Sequence, residues 1–176
     1  MPSQKREMTD VLTSEQRSYN MSRIRGCNTK PEMRVRQMLH AIGLRYRLHG
    51  RGPRGQALPG KPDLVFSGPR AVLFVHGCFW HMHCCKYGKP VPATNSSFWA
   101  EKRWSNVERD KRNRAALRAA GWRVFEVWEC HTRGDETSLA RRLEPLVRFV
   151  RRGRHSSTDV REDEFEQTQL VAVSSG

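Results

Sequence analysis

The sequence predicts an α/β domain in which a mixed central sheet is flanked by helices. Segments with helical apolar spacing and short apolar runs bounded by turn residues alternate along the chain. Their order, helix, three strands, helix, strand, helix, is that of a sheet with helices packed against it. A length of 176 residues gives room for one hydrophobic core of ordinary size but not comfortably for two.

Residues 1–12 are polar and lack apolar periodicity, so the folded domain is expected over 13–150, with a polar tail over 151–176 that opens on the basic turn Arg151-Arg152-Gly153-Arg154. Thr13 and Gln16 have capping-box spacing and predict a short basic helix through Ile24. A stronger start follows at Thr29-Lys30-Pro31-Glu32, with a capping threonine, a glutamate three residues on and a proline in the first turn. Val35, Met38, Leu39 and Ile42 then make one apolar stripe, which Gly43 ends.

Leu44, Tyr46 and Leu48 alternate with polar residues and predict a half-exposed strand. After the Gly/Pro/Arg loop 50–54 come Leu64-Val65-Phe66 and Ala71-Val72-Leu73-Phe74-Val75, nearly continuous apolar runs joined by Ser67-Gly68-Pro69-Arg70, which predict paired buried strands. Phe98 to Ala120 predicts a long basic helix closed by Gly121, Trp122 to Trp128 a further buried strand, and Leu139, Leu143, Leu146 and Val147 a last helix.

Charge narrows the function. Thirty-two Lys and Arg against 18 Asp and Glu give a net charge of +14, a field whose natural partner is a polyanion. No run approaches the roughly 18–20 apolar residues of a spanning helix, and the start, MPSQKREMTD, lacks the apolar core of a signal peptide. The expectation is a soluble cytoplasmic protein that binds nucleic acid and no membrane. Five cysteines, an odd number in such a chain, argue against a disulfide framework.

Three of those cysteines, Cys78, Cys84 and Cys85, lie with His76, His81 and His83 inside ten residues, a density that points to a metal rather than to small buried hydrophobes. Cys78, His83 and Cys85 with Cys130, at the end of a predicted strand, would make a closed set of three thiolates and one imidazole, the pattern of a structural zinc. By spacing alone Cys84 competes with Cys85, and His81 with His83.

Asp63 opens a buried strand in an otherwise basic chain, where a carboxylate would stand at the lip of the sheet and offer oxygen to a hard cation such as Mg2+. Taken alone, Pro62-Asp63 is also ordinary turn chemistry. Glu32 at a helix start, and His76 and His81 beyond the second strand of the hairpin, add a further carboxylate and a general base, although Glu32 is equally the capping partner of Thr29. Phe79 and Trp80, consecutive bulky aromatics in a Cys/His loop, have the character of wedges between bases or of packing around the metal. Trp99, Lys102 and Asn106 share one helix face, offering stacking, a cation and an amide to DNA. Arg17, Arg23 and Arg25 and the run 111–118 suit phosphates.

Taken in order, Asn20-Met21, Pro31-Glu32-x-x-Val35-Arg36, Leu58-Pro59-Gly60-Lys61-Pro62-Asp63, His76-Gly77-Cys78-Phe79-Trp80-His81, Val91-Pro92-Ala93-Thr94, Phe98-Trp99-x-Glu101-Lys102, Asn106-Val107-Glu108-Arg109-Asp110 and Gly121-Trp122-Arg123-Val124 through Cys130 resemble the very-short-patch repair (Vsr) DNA mismatch endonucleases over about residues 13–150. The resemblance implies a restriction-endonuclease-like core, a structural Zn2+, and Mg2+-dependent nicking of double-stranded DNA 5′ to the thymine of a T:G mismatch left by deamination of 5-methylcytosine. That last point implies a functional link to a cytosine-5 DNA methyltransferase. A monomer is expected.

Carried over by motif, Asp63 resembles the Mg2+ ligand and His81 the general base, while Glu32 and His76 resemble residues that hold water around the metal. Cys78, His83, Cys85 and Cys130 resemble the zinc ligands. Phe79, Trp80, Trp99 and Met21 resemble the residues that enter or touch the base stack, with Lys102 and Asn106 facing the mismatch. Val75 departs from an expected threonine, at a position where the implied metal contact is a main-chain carbonyl, and Met82 and Cys84 interrupt a longer histidine run. The Glu-x-Lys pair of many nucleases has no counterpart at Leu73-Phe74-Val75, which fits a histidine-dependent variant. The alternatives are an endonuclease that cuts both strands of paired DNA and a zinc-stabilised DNA-binding module without catalysis.

Overall fold

A computed structural model describes residues 15–16, 27–93 and 95–153. The predicted first helix, Asn20, Met21, Thr94 and the segment from 154 onward lie outside the described residues, apart from helical Glu15 and Gln16.

Helix α1 spans Lys30–Ala41, with the Thr29 side chain accepting from Glu32 N at its start and Pro31 in the first turn. Its inward stripe is Val35 and Leu39, with Met38 partly buried against them. Ile42 departs from the predicted stripe: it is the C-cap and is 41% exposed, because the helix ends there and Gly43, at φ +84°, turns the chain away. The expected strand from Leu44 is likewise shorter. Leu44 N donates to Leu39 O, which places Leu44 in the core, and only Arg47–Leu48 forms strand β1.

Strands β2 (Leu64–Phe66), β3 (Ala71–His76) and β4 (Arg123–Trp128) complete a four-stranded sheet in the order β1-β2-β3-β4. The first three pair antiparallel; β4 runs parallel to β3, with Ala71 opposite Arg123 and His76 opposite Trp128. The parallel step needs a crossover, and α2, Ser96–Ala119, supplies it. A one-turn helix, α3 (Glu129–Thr132), follows β4 directly and was not expected from the sequence. The last helix, α4, covers 136–153, so Arg151 to Gly153, expected as a turn, continue it.

Strand periodicity divides the core between the two sheet faces. Leu64, Phe66, Ala71, Leu73 and Val127 meet Val35 and Leu39 of α1 and Leu139, Leu143, Leu146 and Val150 of α4. Val150 takes the place expected of Val147, which is only partly buried. The opposite face sets Val65, Val72 and Phe74 against Leu117 of α2 and Trp122. The result is three layers, with helices on both sides of a mixed sheet.

Leu73 lies fully buried on β3, between β2 and β4. Leu73→Ala should cost about 2–5 kcal/mol of unfolding free energy, whereas Ile42→Ala should change it by less than about 0.5 kcal/mol. Paired urea titrations compare the two; equal losses would contradict the assigned core.

Candidate active site and metal cluster

On the α2-facing side of the sheet the packing changes from apolar to polar towards the C-terminal ends of β3 and β4. Beyond Val72 and Phe74 on β3 stands His76; beyond Val124 on β4 stand Glu126 and Trp128. Helix α2 shows the same change, from Leu117 back through Arg114 and Asp110 to Asn106 and Arg103.

Asp63 enters this region from the start of β2. The backbone before it is held by Gly50 N donating to Pro62 O (2.8 Å) and Leu58 N donating to Gly50 O (2.8 Å). Gly50, at φ +62°, lies so close to the Lys61 backbone that a side chain there would overlap it. Asp63 Oδ2 accepts from Val75 N at 2.7 Å. Burial pushes the Asp63 carboxyl from its usual 3.8 up to about 6, and the Glu32 carboxylate adds to the rise, against the Val75 hydrogen bond and the charges of His76 and Arg36.

Two histidines face Asp63 across a cleft that Glu32, Lys61, Arg109 and Asn113 also line. His76 Nε2 pairs with Glu126 Oε1 at 2.9 Å, and the same oxygen accepts from Arg114 Nη1 at 2.8 Å. His81 Nδ1 pairs with Asp110 Oδ2, and the two imidazole centroids lie 4.5 Å apart. Burial works to raise both carboxylates. Hydrogen bonding and charge from His81, then His76 and Arg109, nonetheless hold Asp110 below its usual value, and those from His76 and Arg114 do the same for Glu126. Glu32 lies nearby but is fully engaged: it accepts from Asn28 N (2.9 Å), Thr29 Oγ1 (2.9 Å) and Arg36 Nη2 (3.0 Å). It is therefore a capping residue and one half of an ion pair as well as part of the cleft wall.

Behind the histidines, one ligand atom each from Cys78, His83, Cys85 and Cys130 lie within 4.8 Å of one another. His83 Nδ1 stands 3.7 Å from Cys78 Sγ and 3.5 Å from Cys130 Sγ. Bonds of about 2.0–2.1 Å to nitrogen and about 2.3 Å to sulfur at a tetrahedral angle require N···S separations of roughly 3.6 Å, so the four residues fit a tetrahedral metal ion. Cys84, beside them in sequence, is exposed, as is Cys27. Burial pushes Cys78 up to about 12; Cys85 comes down to about 6, burial notwithstanding, through hydrogen bonds with His83 and the Tyr87 backbone.

The loop between Cys78 and Gly88 closes through His83 N donating to Cys78 O (3.0 Å) and Gly88 N donating to Cys85 O (3.0 Å). A Cβ at Gly88 would overlap the main-chain oxygens of His83 and Cys78, so the closure requires glycine. Arg103, only 3% exposed, ties the loop to α2 by donating to the carbonyls of Phe79 (2.7 Å), Gly88 and Pro90 (3.2 Å). Its guanidinium also lies 4.7 Å from the Phe79 ring centroid.

Phe79, Trp80 and Trp99 form one partly exposed aromatic cluster with centroids 5.2–5.9 Å apart. Lys102 is exposed on α2, but Asn106 is buried (8%) and its Nδ2 donates to Trp80 O at 3.2 Å, so the side chain expected at a base edge is a strut for the aromatic loop. Sequence reading missed Asp110, Glu126, Arg103 and Lys61. A signal existed for the helical ones: Trp99, Arg103, Asn106, Asp110, Arg114 and Leu117 follow one helical stripe, hidden because most of it is polar.

A half-buried carboxylate with no ion pair stands beside two carboxylate-backed imidazoles, in a cleft with Lys61 and Arg109, so that groups able to accept a proton and groups able to hold a phosphate share one place. The comparisons make the class specific. The family model described as DNA mismatch endonuclease Vsr matches residues 9–87. The chain is 47% identical over 140 residues to the type II nicking enzyme V.XorIIP of Xanthomonas oryzae pv. oryzae, covering 80% of this chain and 98% of that protein. It is 45% identical over 144 residues to the DNA mismatch endonuclease Vsr of Escherichia coli K12, covering 80% and 88%, and 40% identical over 144 residues to the type II nicking enzyme V.NmeAIP of Neisseria meningitidis, covering 82% and 98%. The chain belongs to the Vsr DNA mismatch endonuclease family.

The Asp63 shift has a consequence for stability. Because its folded value is raised, the carboxyl favours the fold fully below pH 3.8, and that contribution is lost as pH rises through about 6. With metals chelated, Asp63→Asn should therefore be more stable than the parent above about pH 6, by up to about 3 kcal/mol, and equal to it at low pH. Urea titrations across this range check it; a variant less stable at pH 8 would contradict the assignment.

Proposed function

We propose that the protein nicks one strand of double-stranded DNA 5′ to the thymine of a T:G mismatch, using catalytic Mg2+ at Asp63 and a structural Zn2+ at Cys78, His83, Cys85 and Cys130. The observation that carries this reading is the juxtaposition of the Asp63 cleft with the Phe79, Trp80 and Trp99 cluster, both reached from the single loop that follows β3. The relatives' names agree, one being a mismatch endonuclease and others nicking enzymes, and a restriction-endonuclease-like core fits the mixed sheet. Nicking is favoured over double-strand cutting on those names alone. Among the described residues no helix is long and apolar enough to cross a membrane.

The oxygen of Asp63 and the main chain at Val75 suit a hard cation. Mg2+ bound there would offset phosphate charge and make water easier to deprotonate. His81 is the proton acceptor: with Nδ1 held by Asp110, its Nε2 is left to take the proton from the attacking water, and Asp110 stabilises the imidazolium that results. His76 and Lys61 line the approach of the scissile phosphate, and Arg109 adds positive charge at its rim. The aromatic cluster enters the base stack, where unstacking costs about a few kcal/mol per step and least at a mismatch. Lys102 and the +14 surface engage phosphates. A T:G pair arises when 5-methylcytosine deaminates, which links this activity to a cytosine-5 DNA methyltransferase.

With Mg2+, a T:G duplex should be nicked in one strand while its T:A counterpart is left intact. Asp63→Ala should abolish nicking and leave DNA binding within about threefold, since phosphate contacts dominate affinity. Absence of T:G nicking across a library of flanking sequences sinks the reading, and cutting of both strands in matched DNA replaces it with the restriction-type alternative.

The zinc assignment is tested separately. Elemental analysis should find about one zinc per chain; Cys130→Ser should lose it and unfold at lower temperature, and Cys84→Ser should retain it. Zinc retained in Cys130→Ser would refute the ligand set.

A further inference from the structure

His76 is packed by rings on several sides: Phe74 with centroids 5.6 Å apart and planes within 5°, Trp128 at 5.1 Å and His81 at 4.5 Å. Such packing fixes the plane of an imidazole but not its direction, since a half-turn about the Cβ–Cγ bond exchanges nitrogen for carbon at nearly constant shape. A hydrogen bond decides between the two. Among the described residues, the hydrogen-bond partner of His76 is Glu126, and Glu126 is itself held on the same oxygen by Arg114 from α2.

We propose that Glu126, anchored by Arg114, is a positioning residue that selects the ring orientation and tautomer of His76, with Nε2–H directed to Glu126 and Nδ1 left free of a proton. This rests on the reading of His76 as a residue of the nicking site. Three elements contribute one side chain each, His76 from β3, Glu126 from β4 and Arg114 from α2. Arg114 also offsets the negative charge that Glu126 would otherwise set close to a phosphate.

Stability gives no reason for the triad. Glu126 occupies a strand position between Val124 and Trp128, on the face where Leu117, Val72 and Trp122 pack, and a leucine there would extend that core. Replacing a partly buried ion pair by apolar side chains of similar volume is often neutral or stabilising. Carboxylates that orient imidazoles at metal sites, by contrast, typically cost about 10- to 100-fold in metal affinity or activity when removed.

The test is a kinetic cycle on the full chain with a T:G duplex. E126L/R114M should lower kcat at least about tenfold with KM within about twofold, at unchanged or higher thermal stability, and E126Q, which keeps an acceptor oxygen, should recover most of the lost rate. In the H76A background E126L/R114M should cost less than about twofold, because the residue it positions is gone. A double variant that nicks at the parental rate, or that loses as much on top of H76A, overturns the proposal. Should the parent itself nick no T:G duplex, the functional reading fails, but the inference is still decided by 15N spectra of the parent's histidines at mildly alkaline pH. A proton on Nε2 of His76 and none on Nδ1 supports it; the reverse tautomer refutes it.

Discussion

The parallel pairing of β3 with β4 is the constraint on which the rest of the molecule depends. It brings two C-terminal strand ends side by side, with His76 opposite Trp128. The chain then leaves both strands in the same direction, so the loop after β3 and the one-turn helix after β4 deliver Cys78 and Cys130 to one place, where Cys130 N donates to Cys78 Sγ at 3.3 Å. The same register sets Glu126 beside His76. An antiparallel β4 would carry residue 130 to the far edge of the sheet, and neither the Cys/His cluster nor the carboxylate-backed histidines could assemble.

Electrostatics within the cleft follow from which carboxylates already have a cation. Glu32 is paired with Arg36, Glu126 with Arg114, and Asp110 with His81 and Arg109. Among the described residues Asp63 is the carboxylate of this cleft with no ion pair, and it is the one whose pKa is raised, to about 6. A chain with a net charge of +14 has abundant arginine to neutralise it. It is left without an ion pair, with a backbone N–H as its hydrogen-bond partner, which is the arrangement that the proposed cation site requires.

Much of this was legible in the sequence, and the parts that were not share a physical cause. Helix α1 was readable because Thr29, Pro31 and Glu32 act locally, and β2 and β3 because burial on both faces leaves an apolar run. The cysteines and histidines of residues 76–85 pointed to a side-chain cluster able to hold a metal by density alone, but spacing could not choose between Cys84 and Cys85; the backbone of the loop brings Cys85 into the cluster and leaves Cys84 exposed. Asp110 and Arg103 were invisible, as was the inward direction of Asn106, because they lie on an inward helix stripe that periodicity recognises only when it is apolar. Helical spacing puts Asn106 on one face with Trp99 and Lys102 and so predicts a DNA contact, but the Trp80 carbonyl claims its donor. The left-handed turn at Gly43 moves two residues together away from the predicted pattern, sending Ile42 out and Leu44 into the core.

The interface between α2 and the sheet therefore serves two purposes along one length. At Leu117, Val72 and Trp122 it is ordinary core; over the turns just before Leu117 the same stripe carries Arg114, Asp110, Asn106 and Arg103, each with a partner on the sheet or the loop beyond it. Apolar packing at one end fixes the distance between helix and sheet. The polar end then inherits that spacing without having to generate it, which lets hydrogen bonds set orientation where hydrophobic contacts would be indifferent to it. A loop rich in Cys, His, Gly and Lys cannot bury enough apolar surface to hold itself. It is tied down instead by the contacts of the Cys/His cluster on one side and the hydrogen bonds of Arg103 on the other, both next to the short segment that carries His81 and the Phe79 and Trp80 rings.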